Sequence, residues 1–264
     1  MPSPLTITPI FVADLLAEDE RMPLYVHVID HPDARVLVDT GMTELHPAVA
    51  DLDPRLRPLS EQDFDLAGID IVVSTHLHFD HCGGNHLFAG KPIYVQRLEL
   101  HDARNEDDYT IREWVDAPGV QYMPVEGEVE LLPGLRLVPA PGHTPGMQVV
   151  VVETGGRPVV VGGDVAVWFG ELDEPLSEGQ LRVRALDPEL VWLTHADEPW
   201  RPSVERHHPN AEPDAQSKEG MTNQAADEQA RAFRTARAEE TVSHRGKHQQ
   251  PREHVRADAE SQRL

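Results

Sequence analysis

Ser74-Thr75-His76-Leu77-His78-Phe79-Asp80-His81-Cys82-Gly83-Gly84-Asn85 is the stretch on which the reading of this chain turns. Four of the six residues from 76 to 81, namely His76, His78, Asp80 and His81, carry side chains that bind transition metals. Imidazole nitrogen and carboxylate oxygen suit zinc and its first-row neighbours, and such groups placed so close together can serve two ions held side by side. Upstream, Ile69-Asp70-Ile71-Val72-Val73-Ser74-Thr75 is β-branched and mostly apolar, as a buried strand leading into the motif would be. If the backbone stays extended, the period of two puts His76 and His78 on one face, and a turn through Asp80 and His81 swings a second ligand pair toward a neighbouring ion. Gly83-Gly84 then permits a tight, close-approaching backbone. A histidine-rich surface loop is the competing reading, but a random loop would not follow a buried strand with this order of donors.

Further candidate ligands each lie just after an apolar run. Leu135 to Pro141 leads to Gly142-His143-Thr144-Pro145-Gly146, where glycine and proline punctuate a loop that carries one histidine. Arg157 to Gly163 leads to Asp164, and Leu190 to Thr194 leads to His195. Any one of these is equally well a satisfied turn residue. Together they place a candidate ligand at the end of each of several strands, as an active site on a sheet rim requires.

The order His76-x-His78-x-Asp80-His81, then His143, Asp164 and His195, resembles the metallo-β-lactamase superfamily with its complete dinuclear ligand set. Within it, Val36-Leu37-Val38-Asp39-Thr40-Gly41-Met42, the motif itself and Gly142-His143-Thr144-Pro145-Gly146-Met147-Gln148 are most similar to the N-acyl homoserine lactone lactonases. The resemblance spans roughly residues 20 to 200 and implies an α/β fold, the αββα sandwich. It also implies two divalent metal ions, with zinc the expected metal. His76, His78 and His143 would hold one ion, Asp80, His81 and His195 the other, and Asp164 would bridge them, which puts Asp164 and Asp80 among the catalytic residues. A hydroxide shared by the ions would attack an ester, lactone or thioester carbonyl of a small-molecule substrate. Asp39, in Asp-Thr-Gly after an apolar strand, resembles the family's carboxylate that orients a ligand histidine; a turn cap before Gly41 is the other reading.

One departure stands out. Many of these lactonases carry a tyrosine three residues after the bridging aspartate, and this chain has Val167 there, with Tyr109 and Tyr122 as candidates to reach the site from elsewhere. Phe79 and Trp168 read as apolar contacts suited to an acyl chain, or as packing. Cys82 reads as packing, and His27, His31, His46, His86 and His101 as surface or core residues. Lactone opening, the degradation of a quorum signal, is the first expectation. A thioester or other ester hydrolase resembling glyoxalase II is the second, although that substrate calls for a basic pocket. A mono-iron sulfur dioxygenase or a metal-binding protein without turnover is the third. A true β-lactamase fits less well, because Asp164 completes a bridging set those enzymes generally lack.

Lys and Arg number 23 against 46 Asp and Glu, a net charge of -23. Such a surface repels nucleic acid and anionic membrane, which argues against the RNA-processing branches of the superfamily. Met1 to Glu20 lacks a basic segment followed by an apolar core, so no secretion signal is expected, and no apolar run approaches membrane-spanning length. A single cysteine cannot form an internal disulfide, and a cytoplasmic location is expected. The oligomeric state is not legible.

The chain divides near residue 203, with a hydrolase domain over 1–203 and a polar tail over 204–264. Strand-like runs are predicted at Leu24 to Ile29, Arg35 to Asp39, Ile69 to Thr75, Pro92 to Gln96, Leu135 to Ala140, Met147 to Thr154, Arg157 to Val161 and Val191 to Thr194. Gly155-Gly156 signals a hairpin. Ser60-Glu61-Gln62-Asp63 can start a short helix, and Arg97 to Arg104 can form another. In the 62 residues from Ser203, only Val204, Met221, Phe233, Val242, Val255 and Leu264 are large and apolar, too few to offset the entropy of ordering the segment. Disorder is therefore expected there, with Ala225 to Glu240 at most transiently helical and His207, His208, His244, His248 and His254 in a solvated tail.

Overall fold

Strand propensity and alternation give twelve strands among the described residues, 5–17 and 19–202 of the computed structural model. The predicted tail, with its possible helix and its histidines, lies outside them. In chain order the strands are β1 (Thr6–Ala17), β2 (Glu20–His31), β3 (Ala34–Val38), β4 (Arg55–Leu56), β5 (Ile71–Val73), β6 (Pro92–Gln96), β7 (Gln121–Val125), β8 (Val129–Leu132), β9 (Leu135–Pro139), β10 (Gln148–Val152), β11 (Val159–Gly163) and β12 (Leu190–Leu193). The helices are α1 (Phe79–Cys82), α2 (Arg97–Asn105), α3 (Arg112–Val115), α4 (Gly170–Asp173) and α5 (Glu178–Ala185). One sheet has the order β4-β1-β2-β3-β5-β6-β7 and the other β12-β11-β10-β9-β8. This is the predicted α/β sandwich.

The period of two sorts each strand between two cores. Val36 and Val38 of β3 join Leu135, Leu137, Val150 and Val152 in the layer between the sheets. Leu37, one residue out of phase, faces the opposite way into a core with Val12, Leu24, Val72 and Ile93. Val149 and Val151 likewise turn outward to pack with Leu172 of α4 and Val183 of α5. Covered on both faces, β10 and β11 are buried throughout, which is why they read as continuous valine runs. Each such side chain contributes roughly 1.5–3 kcal/mol by leaving water.

Differences from the predicted elements have local causes. The motif strand, Ile71–Val73, is shorter than 69–75: the Ser74 N–H makes a last bond to Tyr94 O of β6, and the Thr75 N–H then turns to a side chain, Asp39 Oδ1. The segment at 60–63 makes only a 3-10 turn, Leu59–Glu61. β1 escaped the sequence reading because Pro9 interrupts its pattern; β4 covers β1 only at Ala13 and Asp14, and edge strands tolerate proline. Among the described residues no helix is long and apolar enough to cross a membrane.

Candidate metal centre

Parallel pairing brings the strand ends that matter to one rim. β3 and β5 run parallel with Val38 opposite Val73, and β11 and β12 run parallel with Gly163 opposite Leu193. Asp39, the motif, Asp164 and His195 follow directly from these ends, and His143 lies on the turn between β9 and β10. Beyond β5 the chain bends at Thr75, passes through His78, whose ψ is 159°, and then enters α1, so that Asp80 and His81 turn inward to 4% and 0% exposure. β11 ends on Gly163 at φ +56°, where a Cβ would stand 2.5 Å from Thr75 Oγ1; only glycine lets this strand end approach the motif so closely.

The seven predicted ligands come together as two groups, His76 with His78 and His143, and Asp80 with His81, Asp164 and His195. Asp164 stands between them. Its Oδ2 lies 3.2 Å from His81 Nε2 and 3.3 Å from His195 Nε2, and also 3.6 Å from His143 Nε2 and 4.0 Å from His76 Nε2. Asp80 Oδ2 is 3.8 Å from His81 Nε2 and 3.6 Å from His195 Nε2. In the first group, His143 Nε2 and His78 Nδ1 are 3.0 Å apart. Donor atoms about 2.1 Å from one tetrahedral ion would be separated by roughly 3.4 Å, the middle of this range.

Outer nitrogens are held from behind. His81 Nδ1 bonds Asp39 Oδ2 at 2.9 Å, and Asp39 also accepts from the Thr75 N–H and hydroxyl, each at 2.7 Å. Because the Thr75 hydroxyl donates to Asp39, it is left to accept from His76 Nδ1, 3.2 Å away. His195 Nδ1 donates to the Pro23 carbonyl at 2.9 Å. All three rings therefore have Nδ1 engaged from behind and turn Nε2 toward the centre, where the neutral imidazole would offer its lone pair to an ion. Asp39 does this from a left-handed backbone, φ +59°, which aspartate tolerates better than most residues.

Four buried atoms aimed at this space, Nε2 of His76, His81 and His195 and Oδ1 of Asp164, have no hydrogen-bond partner among the described residues. Leaving a buried polar atom unsatisfied costs about 1–3 kcal/mol, so converging several of them fits a cation and little else. Charge divides the two groups. Burial drives the pKa of His76, His78 and His143 down and keeps them neutral, the state that binds metal. Burial opposes charge on His81 and His195 too, but Asp164 and Asp80 outweigh it and raise both. Burial would also raise Asp164, yet His81 and His195 hold it well below the usual carboxylate range.

Among the remaining candidates, Tyr109 packs its ring 5.3 Å from that of His78 but gives its hydroxyl to Glu99 Oε1 at 2.6 Å, and Tyr122 accepts from Asn85. The Val167 N–H donates to Glu171. Trp168 is 51% exposed, four residues beyond Asp164. Cys82 is buried, its thiol donating to Leu77 O, and His27, also buried, lies apart from the centre against Trp192. Sequence reasoning missed Thr75, Pro23 and Glu99. Thr75 was visible inside the quoted motif; nothing in the sequence marks a carbonyl such as that of Pro23.

Residues 21–217 match the family model of the metallo-beta-lactamase superfamily. An N-acyl homoserine lactonase from a Bacillus species is 32% identical over 166 residues, covering 56% of this chain and 63% of that protein. The chain thus spans less than two thirds of the curated relatives it matches. Among solved structures, a quorum-quenching N-acyl homoserine lactone lactonase superposes with a TM-score of 0.60 at 24% identity, over 74% of this chain and 94% of that one. A second, an N-acyl homoserine lactone hydrolase with its product N-hexanoyl-L-homoserine bound at the catalytic metal centre, gives a TM-score of 0.59 at 23% identity, over 74% of this chain and 94% of that one. At these identities the superpositions speak to the fold.

Proposed function

The chain belongs to the metallo-β-lactamase superfamily, and from that premise we propose that it is a dinuclear metal-dependent hydrolase that opens lactone rings, with N-acyl homoserine lactones as its substrates. The observation that carries this reading is the position of Asp164, whose Oδ2 is 3.2–4.0 Å from the Nε2 atoms of His76, His81, His143 and His195. A carboxylate shared in this way is what two adjacent cations require. His76, His78 and His143 would hold one ion, Asp80, His81 and His195 the other, and Asp164 both. The nitrogen and carboxylate donor set supports zinc.

Divalent ions bound here would supply a water acidified to a pKa of about 7 and a Lewis acid for the substrate carbonyl. The chain's own part is to keep the donors in register. Asp39 fixes the His81 tautomer directly and that of His76 through Thr75, and Pro23 O fixes that of His195. Burial of the ligands strengthens every charge interaction among them. The half-exposed Trp168, following Asp164, supports an apolar acyl chain on the substrate. A free, buried Cys82 fits a cytoplasmic setting.

Val167 supports a second reading, hydrolysis of a thioester or another ester, because it offers no hydroxyl where related lactonases carry tyrosine. Hydrolysis of a short- and a long-chain N-acyl homoserine lactone by zinc-loaded protein, followed as proton release, separates the two. Turnover abolished by chelator is expected. Two bound ions with no lactone turnover would transfer the assignment to thioesters, and a single bound iron would point to oxygen chemistry instead.

A further inference from the structure

The histidines at 78 and 143 are not held as the others are. Among the described residues, the only hydrogen-bond partner of either ring is the other ring. Their placement then depends on the segments that carry them, and both segments meet one buried carboxylate, Glu99, which is 0% exposed in the first turn of α2. Glu99 Oε1 accepts from the N–H of Leu77, the residue between His76 and His78, at 2.7 Å. The same oxygen accepts from the Tyr109 hydroxyl at 2.6 Å, and the Tyr109 ring lies against His78. Glu99 Oε2 accepts from the hydroxyl of Thr144, the neighbour of His143, at 2.7 Å. The loop beyond Thr144 presses onto the same helix turn, since a Cβ on Gly146 would fall 2.2 Å from Glu99 N and 2.5 Å from its Cα.

We propose that Glu99 is the positioning residue of the three-histidine half of the centre, the common anchor that sets the motif segment and the His143 loop at the spacing an ion needs. Among the described residues it hydrogen-bonds no histidine ring of the centre and acts through Leu77, Thr144 and Tyr109. This inference rests on the proposed dinuclear reading. It also makes a discriminating statement about substitutions. Glu99→Gln keeps an oxygen toward Leu77 and Tyr109 and presents an amide to Thr144, whose hydroxyl can reverse and accept. Glu99→Leu offers neither loop an acceptor and strands the Leu77 N–H.

Cobalt(II) titration of the metal-free protein, followed by its visible absorption, tests this without substrate. In Glu99→Leu one of the two equivalents is expected to bind about 10–100-fold more weakly with an altered spectrum, while Glu99→Gln stays within about threefold of the parent. Unchanged affinity and spectrum for both equivalents in Glu99→Leu would overturn the proposal. So would a Glu99→Gln as defective as Glu99→Leu, because charge rather than position would then be at work. If Glu99→Leu fails to fold, Thr144→Val carries the test: weakening of one equivalent supports the anchor, and two unchanged equivalents overturn it. A parent protein that binds both ions yet opens no lactone would sink the proposed substrate and leave the anchor standing.

Discussion

On one side of the centre Asp39 reaches imidazole, bonding His81 Nδ1 directly and His76 Nδ1 through the Thr75 hydroxyl; on the other, Glu99 reaches only a backbone N–H and two hydroxyls. Both carboxylates are buried, and both accept three hydrogen bonds. What separates them is the freedom of their partners. A hydroxyl can turn from donor to acceptor in place, whereas an imidazole that changes roles must move its proton to the other nitrogen, and that nitrogen is the one facing the metal space. Asp39 therefore governs the electronic state of its histidines, and Glu99 governs where its histidines stand.

Asp164 serves both sides, so its loss should erase the comparison altogether. Asp164→Asn removes the charge that faces His76, His81, His143 and His195 and puts an amide N–H in their midst. The expected result is a loss of activity of roughly 100-fold or more, together with a fall in bound metal from two equivalents, measured by elemental analysis beside turnover. An Asp164→Asn protein with two tightly held ions and full turnover would remove the shared-carboxylate assignment.

Asp39→Asn comes next, and it is the counterpart of Glu99→Gln. The Thr75 N–H cannot reverse, so the asparagine oxygen must take the Oδ1 position, which leaves its NH2 facing His81 Nδ1. That donor forces the His81 proton onto Nε2 and withdraws the lone pair from the centre. About a 10–100-fold loss of affinity for one ion is expected, read by the same cobalt titration, where Glu99→Gln is nearly silent. Equal behaviour of the two amide variants would dissolve the distinction between ring-directed and backbone-directed anchoring.

The two carboxylates were also unequally legible in the sequence. Asp39 could be read through its resemblance to the family's orienting carboxylate, in Asp-Thr-Gly after an apolar strand, although a turn cap before Gly41 reads equally from those residues. The candidate ligands were visible because each follows an apolar run and so stands at a strand end, where one rim can gather them. Glu99 could not be read. It stands beside Leu98, and a hydropathy pattern would bury the leucine and expose the glutamate, yet Leu98 is 49% exposed. An acid in the first helical turn ordinarily complements the helix dipole in water. Only the arrival of the loop at 143–146, nearly fifty residues later, turns this one into the core. The helix α5 was missed for a different reason. Its capping box, Ser177 with Gln180, was plain in the sequence, but Glu178–Ala185 has no apolar stripe to confirm it.

His27 supplies the control for both sides, a buried imidazole with no carboxylate behind it among the described residues. Burial alone lowers its pKa to about 3, whereas His81, equally buried, is raised because Asp164, Asp80 and Asp39 outweigh burial. The unfolded chain protonates His27 near pH 6.5 and the folded chain only near 3, so between those values the unfolded state binds more protons and stability falls as the pH is lowered. Above pH 6.5 the group adds no pH dependence. His27→Leu removes both this liability and the partnerless Nε2. At pH 7.5 the variant should be at least as stable as the parent in urea unfolding, and at pH 5 it should be more stable by about 2 kcal/mol. Parallel pH profiles for the two proteins would mean that His27 finds a charge partner after all, and that burial alone does not separate it from the histidines of the rim.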